Sequence, residues 1–174
     1  MLIDAFMPVY DIQKRHETSV KAATPEVFAG VRALDMSESP LIRYLCQLRG
    51  LPKEALTLRG LQDIGFTRLG YREDEEILLG ITGRFWTIRG DIVRLKPEEF
   101  GMFDAPGYAQ AVWNFSIAPA EEGASRLRTE TRVRCIEQAS YRKFRVYWFF
   151  VAPFSFFIRR QCLQLVKRNV TTAP

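Results

Sequence analysis

The chain has 174 residues, 26% of them charged and 47% hydrophobic, the make-up of one soluble globular domain spanning 1–174 with room for a sizeable core. The net charge of +5 is unevenly spread: residues 126–168 hold eleven Lys/Arg against two acids, and the remainder is net acidic. Three distant cysteines and one histidine exclude a disulfide framework and a multi-histidine metal site, so no metal and no cofactor is expected.

Residues 9–22 alternate with period two. Tyr10, Ile12, His16, Thr18, Val20 and Ala22 share one parity, and Lys14 is the one charge on that side. Thr24-Pro25-Glu26 then opens a helix, read as a capping threonine, a first-turn proline and an early acid, with Val27, Phe28, Val31 and Leu34 as its apolar stripe. Ser39-Pro40 starts a second helix with Leu41, Ile42, Leu45 and Leu48 inward, closed by Gly50 and Pro52. Residues 53–64 carry a further short helix.

From Gly65 the pattern turns to strands: 66–73, a turn at Asp74-Glu75, and a long strand over 76–88 interrupted by Gly80 and Gly83. Glycines inside a strand mark a bulge, a bend or a close approach by another element. A short strand over 91–95 and a helical start at Pro97 follow. The strand 108–118 has Ala111, Trp113, Phe115 and Ile117 on one face. After a hairpin loop at 119–124, residues 125–136 place Leu127, Thr129, Thr131, Val133 and Cys135 inward and Arg126, Arg128, Glu130, Arg132 and Arg134 outward. A long helix then runs to about residue 169. It holds nine of the chain's 22 aromatic residues. So many rings on one helix imply a large apolar surface to cover.

Read at 100° per residue, that helix presents Phe144, Trp148, Val151, Ser155, Ile158, Cys162 and Val166 to the sheet, with Ser155 the lone polar group. Its opposite side is basic at both ends and apolar in the middle, where Phe149, Phe156 and Phe157 lie. These three form a candidate interface, for a second copy of the chain, for a membrane surface, or beneath the protein's own segments 35–65 or 96–108. Pro153 should kink the helix. The apolar run around it is too short to span a bilayer.

The order is strand, two helices, antiparallel strands and a long closing helix. It predicts an α+β fold in which a curved, seven-stranded or near seven-stranded meander wraps the helix. This order, the first strand leading into TPEVFAGVRALD, and the hairpin arm SRLRTETRV resemble the helix-grip fold of the START-like (SRPBCC) superfamily, which includes polyketide cyclases/dehydrases and birch-pollen-allergen proteins. The resemblance implies a ligand cavity between sheet and helix and transfers no catalytic residue.

The expected activity is non-catalytic binding of a hydrophobic or aromatic small molecule, lipid, isoprenoid or polyketide-like. Its expected lining is His16, Arg84, Trp113, Thr129, Thr131, Trp148 and Ser155. His16 is also the one candidate acid–base group for a cyclase- or isomerase-type alternative. No nucleic-acid motif accompanies the basic segment. An odd number of widely spaced cysteines and the absence of a basic, apolar leader point to a reducing cytoplasm.

Overall fold

A computed structural model describes residues 1–48, 50, 53–87 and 90–172. The fold is α+β, as expected: an antiparallel sheet with short helices after the first strand and a long C-terminal helix packed against it. The sheet has five strands in the order β1-β5-β4-β3-β2, formed by Ile12–Val20 (β1), Thr67–Arg72 (β2), Glu76–Gly83 (β3), Ala109–Pro119 (β4) and Ser125–Cys135 (β5). The expected near seven-stranded meander is therefore too large. The strand expected over 76–88 ends at Gly83, and the one expected over 91–95 is a single bridge between Thr82 and Val93. The chain turns back where Arg84 N–H donates to the Gly90 carbonyl at 2.6 Å. Pro52, the end of the expected 76–88 strand at residue 88, and the Leu48 side chain lie outside the described residues.

The helices are Leu2–Phe6 (α1), Thr24–Arg32 (α2), Pro40–Leu48 (α3), Leu58–Asp63 (α4), Pro97–Phe100 (α5) and Gln138–Thr172 (α6). Thr24 is the first helical residue of α2, and Ala23 is its cap. The orphan Ala23 N–H is satisfied by the Glu26 carboxylate at 3.1 Å, so the early acid closes this end. In α3, Ile42 and Leu45 are buried as expected, but Leu41 is 41% exposed.

The main core lies between one sheet face and α2, α4 and α6. Val27, Phe28, Val31, Leu79, Phe115, Leu127, Cys162 and Val166 meet there. The opposite sheet face is also buried. Ile3, Met7, Leu69, Leu78, Phe100 and Val112 form a second cluster, closed by α1 and α5. Gly80 belongs to that contact: a Cβ there would stand 2.4 Å from Leu69 Cδ1 and 2.8 Å from Phe100 Cε2. Its role is close approach, one of the three meanings a strand glycine carries.

Because this second face is buried, Glu130 and Arg132, expected to point outward, are not solvated. Their side chains are 3% and 8% exposed, and they pair at 2.6 Å. Arg132 also reaches Asp4 at 2.7 Å and donates to the Met7 carbonyl at 2.9 Å. Glu76 accepts from Leu2 N–H at 2.7 Å and from Asn114 Nδ2 at 2.6 Å. These carboxylates satisfy α1 and the sheet's polar groups together, as burial requires.

Candidate functional site: a cationic waist beneath the closing helix

Strand register places the candidate residues in two rows on the sheet face under α6. Lys14 is opposite Thr131, which is opposite Trp113. His16 is opposite Thr129, which is opposite Phe115. Directly opposite residues of an antiparallel pair share a face, so parity alone brings Trp113, Thr129, Thr131 and His16 together, as the sequence implies.

Across them lies α6, which contributes two apolar groups and one polar one. Towards its start, Phe144 is buried with Tyr147, Trp148, Phe85, Trp86 and Val133. Trp148 stacks on Phe144 at 5.7 Å, so it belongs to this cluster. Towards its end, Cys162, Leu163, Leu165 and Val166 join the main core. Between the two lies a polar waist built around Arg159, a residue the sequence reading did not single out. Its Nε and Nη2 donate to Thr131 Oγ1 at 2.8 and 2.6 Å, and Nη1 donates to the Ser155 carbonyl at 2.9 Å and to the Ser155 hydroxyl. The guanidinium also stands 5.8 Å from the Trp113 ring centre.

Every acceptor of Arg159 is neutral. Among the described residues no ion pair includes it. Burial pushes its pKa down to about 10, which still leaves it charged at neutral pH. Thr129 is committed differently: its hydroxyl accepts from Trp113 Nε1 at 2.6 Å and donates to the Asn114 carbonyl at 2.8 Å. It fixes the indole and has no proton left to offer.

His16 borders the waist, its ring edge-on to Phe156 at 4.9 Å. Its Nε2 is buried and has no hydrogen-bond partner. Burial lowers its pKa, and Arg159, Lys14 and Arg160 lower it further. A neutral imidazole therefore faces three cations. Such a site is poised for an anion, because each nearby charge is positive and one donor set is desolvated.

Arg84 lies apart, in the turn after β3, 4.6 Å from the Tyr108 ring centre, with a buried Nε that lacks an acceptor. The structure does not bring it to Thr129 or Thr131. An open groove of about 420 Å³ lies elsewhere again, among Arg32, Arg59, Arg68, Tyr71 and Leu79. The Cys135 and Cys162 thiols are pushed up to about 12 by burial, so neither is a nucleophile near neutral pH. The interface candidates Phe149, Phe156 and Phe157 are 77%, 43% and 49% exposed. No helix among the described residues is long and apolar enough to cross a membrane.

Neither a family model nor a curated protein matches this sequence. Among solved structures, the chain is similar to the crystal structure of TTHA0849 from Thermus thermophilus, at 9% identity and a TM-score of 0.32. The match covers 92% of this chain and 97% of that one.

Proposed function

We propose that the protein is a non-catalytic binder of an amphipathic small molecule, its carboxylate head at the waist and its apolar body between sheet and α6. The observation that carries this reading is the Arg159 guanidinium, desolvated and without a carboxylate of its own. Burying a charge without a counter-charge is costly, and a carboxylate that displaced the Thr131 hydroxyl from Nε and Nη2 would receive two parallel hydrogen bonds. His16, with its unpartnered Nε2, adds a second group that an anion would favour in its protonated form. The aromatic cluster of Phe144, Tyr147 and Trp148 adjoins the waist and offers an apolar wall. Membership of the START-like superfamily is part of the proposal, as is a cytoplasmic setting.

The single histidine makes the test direct, because its imidazole gives one resolved NMR signal. Titration with laurate is expected to shift that signal saturably and to raise the His16 pKa, whereas dodecylamine is expected to do neither. Arg159→Met is expected to weaken laurate at least tenfold, the value of about 1.5 kcal/mol for a charge-assisted hydrogen bond. Laurate that leaves His16 unmoved, or that binds Arg159→Met equally well, would sink the proposal.

A second reading rests on the same imidazole. A neutral base beside a half-buried guanidinium is a pair suited to proton transfer with anion stabilisation, as a cyclase- or isomerase-type reaction needs. It requires turnover that His16→Gln abolishes while binding survives.

A further inference from the structure

The outer face of α6 is apolar over its middle and basic at both ends. Val146, Phe149, Phe150, Phe154, Phe156 and Phe157 are between 43% and 77% exposed. They fall within residues 146–157, roughly 17 Å of helix at 1.5 Å per residue. Arg142, Lys143 and Arg145 precede this patch, and Arg160, Lys167 and Arg168 follow it, all exposed. The whole of α6 contains no acidic residue. One of these cations is neutralised locally, where Arg168 pairs with Glu38 at the far end of the helix.

Contiguous exposed aromatic surface of this kind marks a contact, and the charges select the occupant. A second copy of the chain, docked through the same face, would meet itself. Run antiparallel, the basic start of one helix would lie against the basic end of the other. Run parallel, each basic end would meet its twin. The helix has no acid to relieve either arrangement. A bilayer with anionic headgroups supplies both complements at once: an interfacial layer into which the rings insert, and negative charge on either side for the arginines and lysines.

We infer that this face docks the protein on anionic membrane surfaces, with α6 lying in the plane of the interface. The inference is independent of what the waist binds. Its test is sedimentation with vesicles of phosphatidylcholine alone and of phosphatidylcholine with one-third phosphatidylserine. Binding to the anionic vesicles is expected to be at least tenfold tighter and to weaken as salt screens the basic ends. The triple change Phe149→Ser, Phe150→Ser, Phe157→Ser is expected to remove it. Arg142→Gln with Lys143→Gln and Arg145→Gln is expected to reduce it severalfold. All six positions are exposed, so unchanged far-UV circular dichroism accompanies the loss. Wild-type protein that ignores anionic vesicles, or a Phe triple variant that binds them equally, overturns the inference. So does a concentration-dependent dimer that the Phe triple variant abolishes, since it assigns the face to a second copy.

Discussion

Two arginines sit on opposite faces of β5 and meet opposite fates. Arg132, on the face under α1, has Glu130 at 2.6 Å and Asp4 at 2.7 Å. Arg159 reaches the other face from α6, bonds to Thr131, the residue just before Arg132, and finds only hydroxyls and a carbonyl. Both are desolvated, yet one is built into the fold with its counter-charges and the other is held ready by neutral groups. A buried cation with its own acids is an element of architecture; one without them carries an unbalanced charge that a ligand can balance.

The contrast yields predictions of graded size. Arg132→Met strands Glu130 in the interior and is expected to cost about 3–5 kcal/mol in urea unfolding. A smaller loss would mean that water reaches that pair. On the same face, Gly80→Ala drives a methyl into Leu69 and Phe100 and is expected to cost about 1–3 kcal/mol, the range for overpacking. A neutral result would show that α5 moves freely off the sheet. Arg159→Met should act in the reverse sense. Removing an uncompensated charge is expected to leave the apo protein unchanged or about 1 kcal/mol more stable, even as laurate affinity falls. Equal destabilisation by both arginine variants would erase the distinction between the two sites.

The smallest effect is in pH. Burial, then the neighbouring cations, holds His16 below its ordinary 6.5 in the folded state, so the unfolded chain takes up the proton first. Stability is therefore full above that value and falls as pH drops through the window down to the folded pKa; His16→Gln flattens this slope. The face under α1 responds only in stronger acid. The Arg132 hydrogen bond holds Asp4 below its ordinary 3.8, so its contribution is present above that value and is lost as pH falls through the folded pKa. Thermal unfolding of wild type, His16→Gln and Asp4→Asn between pH 7 and pH 3 separates the two windows.

Much of the fold was legible because its strands obey simple parity. The alternation of β1 and β5 placed His16, Thr129 and Thr131 correctly, and the 3.6-residue period of α6 placed Phe144, Ser155 and Cys162. What escaped notice was charge on a buried face. Arg159 stands beside Arg160 near the polar end of α6 and reads as one of a solvated pair. Its spacing of four from Ser155 was the available signal, since that puts both on one side of a helix. Glu130 and Arg132 alternate outward like any exposed strand, and the segment that covers them, Leu2–Phe6, lies at the far end of the sequence. Alternation reports which residues share a face, and it is silent on whether a distant segment returns to bury the other one.

The pairing of β1 with β5 also bears on how the molecule is made. Every partner of Ile12–Val20 in the sheet lies more than a hundred residues later, from Ser125 to Val133. At synthesis rates of about 5–20 residues per second, the first strand waits on the order of 10 s for its edge to be covered. Folding of the isolated chain is correspondingly governed by long-range closure, which is slow compared with hairpin formation. The hairpins β2–β3 and β4–β5 can form locally, but the sheet acquires its order only when its oldest strand joins its youngest.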